Sequence, residues 1–533
     1  MRERDDTILA DLIAIKAEKN PDLDVVTFEG AGVRDDETRT YKQLHENANR
    51  VAADLIAKGM EPGDRFAILI QNHPEFIEMM IAASITACVF VPIDPRTRGE
   101  KLAYTINNSS SKGIYCADYS LAQVAEIRDK VPDMKWISVL ESGEGKNLTA
   151  TSDVLGAVNF ADVMKAPFEE IEVRVKDPLD MLQIIYTSGT TGDPKGVVLP
   201  NERFGNIAKL GGWVGLKPGD RPYTGLSLTH GNAQMLTLAF ALGMELRAVF
   251  SRKFTKSRLW DICRKYNCTM FNLLGGMSTA VYSDPVKEND GDNPVRFVLS
   301  AGMPASIWEN FEKRFNIDIV ELYGAVEGGL AMKPPGEGPI GSFGKPPPST
   351  EMKIVDEDGN ECPPGVPGEL ISRPTTGEEV HVEYFNNPDA SAKKIAGGWL
   401  RSGDICHQDE DGWFYFDYRA GGGIRHNGDF INPGFVERAV GEHPEVDDVF
   451  VYGVPAASGA PGEKDVVAAL VPVDMDSFDP ASVFARCKAE LEANFIPSYL
   501  QVVAEIPKTA SEKPQERFLL EAFAPDGKGI FTG

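Results

Sequence analysis

The feature that most constrains the fold is a repeated alternation between short, continuous apolar runs and amphipathic segments over the first two-thirds of the chain. Continuous apolar runs are typical of strands that are buried on both faces of a sheet. Intervening stretches such as Gln43–Lys58 have the spacing of amphipathic helices. The pattern therefore predicts an α/β fold. The clearest strand candidates are Arg65–Ile70, Cys88–Val91, Gly113–Cys116, Met181–Tyr186, Met270–Leu274, Val295–Leu299 and Ile317–Leu322.

The chain has 533 residues, more than one hydrophobic core usually supports, so at least two domains are expected. From about Met352 the composition shifts, and glycine and proline crowd into 359–368 before short strand patterns, which indicates a β-rich subdomain. The segment 420–423 contains three glycines and predicts a hinge. We therefore expect a large N-terminal domain of packed α/β subdomains over 1–419 and a small, mobile α+β domain over 424–533.

The formal net charge of −26 argues against nucleic acid as a partner, because phosphate contacts need a basic surface. A few local donors can still bind a small anion such as ATP. The N-terminus lacks a basic start followed by an apolar core, so no signal peptide is expected. The longest apolar run, Met79–Val91, is too short to span a bilayer and predicts a buried helix that continues into a strand ending at Pro92. Stable membrane insertion is not expected.

The hydrophobic fraction of 42% is enough for sizeable buried cores. Seven cysteines, an odd number in a large chain without a C-x-x-C pair, indicate reduced thiols and a cytoplasmic location. The seven histidines form no H-E-x-x-H motif, so the sequence indicates no zinc site.

The strongest chemical signal is the string Tyr186-Thr-Ser-Gly-Thr-Thr-Gly-Asp-Pro-Lys195-Gly, which follows an apolar strand candidate. Glycines let backbone N–H groups approach a polyphosphate, the hydroxyls add donors, and Lys195 adds a positive charge. It is not a Walker loop, because the G-x-x-x-x-G-K-S/T spacing is absent and Pro194 precedes the lysine. A glycine-rich turn without a ligand is the alternative, but the complete string favours phosphate binding. Its candidate ATP-binding residues are Thr187, Ser188, Gly189, Thr190, Thr191, Gly192 and Lys195.

The string resembles the phosphate-binding signature of the adenylate-forming enzymes, which include acyl-CoA synthetases, peptide-synthetase adenylation domains and luciferases. Further stretches similar to that family follow in the family's order and extend the resemblance over almost the full chain. The sequence around 495–500 is most similar to that of the crotonobetaine/carnitine-CoA ligase-like branch. The further stretches are Ser300–Pro304, Glu321–Glu327, Gly398–Asp404, Asp417–Arg419, Gly428–Pro433 and Pro507–Lys513.

The resemblance implies an ATP site built from these stretches. Tyr323 would stack on adenine, and the segment 302–304 would line the opposite side. Asp404 would accept hydrogen bonds from the ribose hydroxyls, with Arg419 close to them. The implied ATP-binding residues outside the string are Gly302, Met303, Pro304, Glu321, Tyr323, Gly324, Asp404 and Arg419.

The resemblance also implies catalytic roles for Lys195, Glu327 and Lys513. Glu327 would bind Mg²⁺, whose preferred ligands are carboxylate and phosphate oxygens. Lys513, on the C-terminal domain, would neutralise charge as the substrate carboxylate attacks the α-phosphate. Rotation about a hinge at Gly421 would then bring Gly428 to line the channel for the thiol of coenzyme A.

The stretch around His230 is similar to a segment that lies beside the acyl site in the family. Several residues of the implied pocket are small, which leaves two interpretations open: room for a bulky acid, or tight backbone packing. The sequence shows no aromatic cluster that would hold a quaternary ammonium group. The implied acyl-pocket residues are His230, Asn232, Asn272, Gly275, Ala301 and Ala325.

Two positions depart from the family pattern. Val326 replaces the usual threonine before the metal-binding glutamate, so Thr190 or Thr191 would carry more of the phosphate binding. Glu512 replaces the usual glycine before Lys513 and places a carboxylate there, which would either hold the lysine or repel the nucleotide.

The sequence therefore predicts an AMP-forming acid–thiol ligase that uses ATP, Mg²⁺, coenzyme A and a small carboxylic acid. Two alternatives stay open. The acyl group could pass to a carrier protein or another nucleophile, or the chain could be a degenerate nucleotide-binding protein without turnover. The sequence is compatible with a homodimer and does not identify the acid.

Overall fold

The computed structural model describes residues 3–144, 148–187, 194–419, 424–426, 429–431, 433–457, 464–491, 493–509, 512 and 514–533. The chain divides into two compact units. The first comprises Met1–Thr255, Asp261–Asn272 and Val382–Ala392, and the second comprises Lys256–Trp260, Leu273–His381 and Lys393–Gly533. The segment 420–423 lies outside the described residues, so the expected hinge and the domain boundaries beside it stay predictions.

The first unit contains a seven-stranded sheet in which six strands run parallel and one edge strand runs antiparallel. Its central strands are buried on both faces, as the continuous apolar runs predict, and Ala67, Val91 and Ile184 have no exposed surface. Across the sheet the strands are Ala157–Asn159, Trp136–Leu140, Ser111–Ala117, Arg65–Leu69, Val89–Pro92, Met181–Thr187 and Lys195–Pro200.

A second group of strands, which belongs to the first unit except for Leu273 and Leu274, is parallel except for its last pair. Phe28 and Phe250 stack across two of these strands, with ring centroids 5.1 Å apart. The strands follow one another in the order Met270–Leu274, Pro222–Thr224, Ala248–Phe250, Asp24–Phe28 and Glu37–Thr40.

Helices alternate with these strands along the chain. The helix Tyr41–Ala57 begins with a capping box, in which the side chain of Thr40 accepts from the backbone N–H of Gln43. The helix Pro74–Thr86 is buried along its whole length and is followed by the strand Val89–Pro92, which confirms the predicted passage from helix to strand. The helices are Leu9–Lys19, Tyr41–Ala57, Pro74–Thr86, Gly99–Asn108, Leu121–Glu126, Ala161–Met164, Asn201–Ala208, the π-helix Ala233–Ala239, Phe240–Met244 and Leu259–Tyr266.

In the second unit, the parallel strands Phe297–Ala301 and Asp318–Ala325 are followed by the antiparallel strand Gly328–Lys333. A five-stranded antiparallel sheet comes next and confirms the β-rich composition predicted after Met352. The strand Trp399–Gln408 pairs with three others, Gly368–Pro374, Ile395–Ala396 and Phe414–Arg419. The strands of this sheet are Thr350–Val355, Gly368–Pro374, Ile395–Ala396, Trp399–Gln408 and Phe414–Arg419.

The C-terminal part of the second unit combines helices with a four-stranded sheet and a hairpin of Ile424–His426 with Asp429–Ile431. Helices and sheets are thus mixed throughout the chain, which confirms the α/β prediction. Within the described residues, no helix has both the length and the apolar character that a membrane crossing requires. The sheet strands are Val446–Pro455, Lys464–Pro472, Tyr499–Val502 and Ile530–Thr532. The helices of the unit are Gly276–Tyr282, Trp308–Phe315, Pro433–Gly441, Pro480–Glu490 and Glu516–Ala522. The helix Pro388–Lys394 has its last two residues in this unit and the others in the first.

Candidate functional site

Asp404 lies at the centre of a hydrogen-bonded cluster in the second unit. Its Oδ2 accepts from the hydroxyl of Tyr323 at 2.5 Å, and its Oδ1 accepts from Nη1 of Arg419 at 2.6 Å. Asp404 and Arg419 face each other in the antiparallel register of the strands Trp399–Gln408 and Phe414–Arg419. The structure thus brings together three residues that the sequence assigns to nucleotide binding.

Backbone contacts fix the position of Asp404. Its N–H donates to Oγ of Ser402 at 2.9 Å, and the N–H of Gly403 donates to Oε1 of Glu369 at 3.1 Å. Gly403 has a φ of 74°, in the left-handed region that favours glycine. The Asp404 side chain is almost fully buried, and each of its oxygens keeps a lone pair for a further donor.

Tyr323 offers a rigid aromatic surface next to this carboxylate. Its ring stacks on Phe343 with centroids 4.4 Å apart, and Phe343 stacks in turn on Phe414 at 6.1 Å. Burial and the charge of Asp404 raise the pKa of the Tyr323 hydroxyl, which therefore stays protonated and acts as the donor. A fixed ring of this kind suits a planar base.

Buried Glu321 connects the strand Asp318–Ala325 to the turn that follows the strand Phe297–Ala301. Its Oε1 accepts from the backbone N–H of Gly302 at 2.5 Å and of Met303 at 3.2 Å. Burial raises the pKa of Glu321 to about 7, although these donors act in the opposite direction. Two further residues of the predicted ATP site are thereby held in place by a third.

The backbones of Gly275 and Gly302 approach each other closely. The N–H of Gly275 donates to the carbonyl of Ala301 at 2.9 Å, and a Cβ on Gly302 would lie 3.4 Å from Cα of Gly275. Both glycines have positive φ values, 45° and 98°. The positive φ values favour glycine at both positions. A Cβ on Gly275 would meet no atom within 4 Å, so backbone conformation rather than tight packing accounts for glycine there.

Glu327 lies in the two-residue connection between the strands Asp318–Ala325 and Gly328–Lys333, next to Val326. Its side chain is half-buried. The carboxylate is within electrostatic reach of two cations, Arg419 and Lys394.

Lys394 lies near Glu327 and Asp404, and the sequence did not single it out. It ends the helix Pro388–Lys394, and its Nζ donates to the carbonyl of Ser402 at 3.0 Å. Burial lowers the pKa of the Lys394 ammonium, while the charges of Glu327 and Asp404 act in the opposite direction. In sequence it resembles a solvated helix end, so only its tertiary position identifies it.

Two strands in the first unit hold the ends of the predicted phosphate-binding string. Thr187 and Lys195 are opposite each other in antiparallel register, and Oγ1 of Thr187 donates to the carbonyl of Lys195 at 3.4 Å. Lys195 is exposed, with its Nζ 5.6 Å from the centroid of the Tyr384 ring. Residues 188–193 lie outside the described residues, so their phosphate contacts stay predictions.

Three polar side chains form a hydrogen-bonded chain elsewhere in the first unit. Nδ2 of Asn272 donates to Oδ1 of Asn232 at 2.9 Å, and Oγ1 of Thr237 donates to Oδ1 of Asn272 at 3.0 Å. Asn272 and Thr237 are buried, while Asn232 and nearby His230 are half-buried. The structure joins two residues that the sequence places in the acyl pocket and adds Thr237, which the sequence missed.

Glu37, His73 and Glu144 also come together in the first unit, with potential ligand atoms within 4.8 Å of one another. Nη2 of Arg252 donates to Glu37 at 2.5 Å and to Glu144 at 3.0 Å. Burial lowers the pKa of His73 well below its usual value. A second guanidinium, that of Arg34, also pairs with Glu144, so two cations face the two carboxylates and the group is a salt-bridge network.

Gly421, Gly428 and Lys513 lie outside the described residues, so the hinge, the coenzyme A channel and the catalytic lysine stay predictions. Glu512, which replaces a glycine of the family pattern, is described. Its φ of 58° lies in the left-handed region that glycine adopts without strain. The substitution has therefore kept a backbone conformation suited to glycine.

Comparisons with known proteins agree over most of the chain. A family model described as AMP-binding enzyme matches residues 13–377, and one described as AMP-binding enzyme C-terminal domain matches residues 436–513. A medium/long-chain-fatty-acid–CoA ligase of Mycobacterium marinum is 29% identical over 460 residues, which cover 85% of each chain. A crotonobetaine/carnitine–CoA ligase of Salmonella heidelberg is 26% identical over 481 residues, covering 89% of this chain and 91% of the relative.

The fold is also similar to that of solved structures. A benzoate CoA ligase from Burkholderia xenovorans superimposes with a TM-score of 0.81 at 20% identity, covering 96% of this chain and 99% of the other. At this level of identity the likeness concerns the fold.

Proposed function

Because the chain belongs to the family of AMP-binding enzymes, we propose that it is an ATP-dependent acyl-CoA ligase. It converts a carboxylic acid and ATP into an acyl-adenylate and pyrophosphate, and then transfers the acyl group to coenzyme A with release of AMP. The observation that carries the proposal is the buried Asp404 carboxylate, held between Tyr323 and Arg419. The relatives named CoA ligases support the same activity.

The Asp404 cluster would bind the nucleoside. The remaining lone pairs of Asp404 accept from the ribose hydroxyls, which are strong hydrogen bonds because the acceptor is charged. Tyr323 presents the ring face opposite Phe343 to adenine. Glu321 keeps the turn at Gly302 in position against the other side of the base.

In the first step, a carboxylate oxygen of the acid attacks the α-phosphorus. The bond from that phosphorus to the oxygen bridging to the β-phosphate breaks, and pyrophosphate leaves. Lys195 and Lys513 supply positive charge where negative charge accumulates.

Glu327 is half-buried, and its carboxylate is a suitable ligand for Mg²⁺ when phosphate oxygens complete the coordination. When bound there, Mg²⁺ would shield the charge of the phosphates. The positive charges of Lys394 and Arg419 lie within electrostatic reach of Glu327.

In the second step, the thiol of coenzyme A attacks the adenylate carbonyl carbon. The carbon–oxygen bond to AMP breaks, and the thiol proton is released. Rotation of the C-terminal segment about Gly421 and a thiol channel beside Gly428 belong to this proposal, as does a cytoplasmic location.

The proposal is tested by incubating the full chain with ATP, Mg²⁺, coenzyme A and a panel of acids, with mass spectrometry of the products. We expect AMP together with one acyl-CoA thioester. AMP and pyrophosphate without a thioester would point to another acceptor, and no AMP with any acid would refute acyl activation. A Lys513→Ala variant should lose most of the first half-reaction, whereas the exposed-lysine control Lys488→Ala should keep it.

A further inference from the structure

The chain of hydrogen bonds through Asn272 depends on the π-helix Ala233–Ala239. Asn232 and Thr237 are five residues apart, which in a regular α-helix places them about 140° apart around the axis. In a π-helix the hydrogen bonds run over five residues, so residues with this spacing lie on one face. The π-helix therefore places Thr237 on the same face as Asn232, the residue immediately before it.

The loop before the π-helix is held firmly. Buried Asn72 donates through Nδ2 to the carbonyl of Leu226 at 2.8 Å and accepts at Oδ1 from the N–H of Leu228 at 2.7 Å. Nε2 of buried Gln234 donates to the carbonyl of Leu228 at 2.7 Å. The backbone that leads into Asn232 is thus fixed before any ligand binds.

The hydrogen bonds also orient the amide of Asn232. Its Oδ1 accepts from Nδ2 of Asn272, and Oδ1 of Asn272 accepts in turn from the hydroxyl of Thr237. The Nδ2 of Asn232 is left with two N–H donors, for which no described residue provides an acceptor. Because Asn232 is half-buried, a ligand that covers it removes water from these donors and must replace the lost hydrogen bonds.

We infer that the enzyme selects carboxylic acids whose acyl portion carries a hydrogen-bond acceptor, such as a hydroxyl or keto oxygen, over unsubstituted acids of the same length. This inference rests on the proposed function and on the place of Asn232 in the acyl pocket. An acceptor oxygen satisfies the oriented N–H groups, whereas an alkyl or phenyl group leaves them without a partner. Sites built around such a polar group reject analogues that lack its complement.

The experiment compares matched acids with the full chain, ATP, Mg²⁺ and coenzyme A. The pairs are butanoate with 3-hydroxybutanoate, hexanoate with 5-oxohexanoate, and benzoate with 4-hydroxybenzoate. We expect kcat/KM to be at least about 10-fold higher for the acceptor-bearing acid in one or more pairs. Asn232→Leu should reduce that preference at least about 10-fold and leave the KM for ATP unchanged. Asn206→Leu, an exposed asparagine on the helix Asn201–Ala208, is the matched control.

The outcomes separate this inference from the proposed function. Turnover that is equal or better for the unsubstituted acid in every pair overturns the selectivity, while acyl activation stands. An Asn232→Leu variant that keeps the preference for acceptor-bearing acids would also overturn the selectivity and leave acyl activation standing. Absence of AMP with every acid refutes the proposed function and the inference together. The comparison of acids needs only the wild-type protein, so a variant that fails to fold does not decide the result.

Discussion

The Asp404 cluster of the second unit and the Asn272 chain of the first unit are both buried polar groups, but they are built in different ways. In the first, a carboxylate is held between a guanidinium on the paired strand and a phenol on a strand of another sheet. In the second, neutral amides and a hydroxyl are aligned by a local change of helix type. One depends on charge and strand register, and the other on helix geometry.

The difference follows from what each region would recognise. ATP is the same for every acid, so a fixed charged cluster can serve it, and removal of one partner leaves a buried charge uncompensated. The acid differs between enzymes of one fold, and neutral side chains can be exchanged without that penalty. We therefore expect the charged cluster to tolerate substitution least.

The largest effect is expected for Asp404→Asn. The change keeps the shape but removes the charge that faces Arg419 and weakens the hydrogen bonds offered to the ribose, so AMP formation should fall at least about 100-fold. Asp417→Asn is the matched control, because Asp417 lies on the paired strand and bonds to His407 at 3.0 Å instead. Equal rates for the two variants would mean that Asp404 has no special role.

A smaller effect is expected for Lys394→Met. Methionine keeps the apolar stem of the side chain but removes the charge near Glu327 and Asp404. The KM for ATP should therefore rise about 5- to 10-fold, while kcat changes less than about 2-fold. Lys393→Met, an exposed neighbour, provides the control. If both variants bind ATP alike, Lys394 is not part of the charged cluster.

Thr237→Val tests the neutral chain. Valine has the same shape but cannot donate to Asn272, so the amide of Asn232 is less firmly oriented. We expect the preference between paired acids to fall about 3- to 10-fold, with the KM for ATP unchanged. A change in ATP binding instead would show that the two regions are not independent.

The smallest effect concerns stability and pH at Glu321, which adjoins the charged cluster. The folded protein keeps the Glu321 proton up to a pKa of about 7, whereas the unfolded chain releases it near 4.5, so stability falls as pH rises through this window. Glu321→Gln removes this term, worth up to about 3 kcal/mol. Between pH 5 and 8 the thermal midpoint should therefore fall less for the variant than for the wild type. Parallel falls would contradict a raised pKa.

Much of the fold could be predicted because its signals are local. The continuous apolar runs located the sheet strands, and Met270–Leu274 has the same bounds in the structure as in the prediction. Lys394 and Thr237 could not be predicted in this way. A lysine at a helix end and a threonine in an apolar helix have ordinary surroundings in sequence, and their partners lie on other elements.

The sequence by itself determined the α/β class through its apolar periodicity. Its ordered motifs determined the family and identified Tyr323, Asp404 and Arg419 as candidates for nucleotide binding. Only the tertiary structure decided which polar groups meet. Strand register placed Arg419 opposite Asp404, and a π-helix turned Asn232 and Thr237 toward the same asparagine. Hydrogen bonds are directional and short, so they are settled by the packing of distant segments rather than by the residues of any one segment.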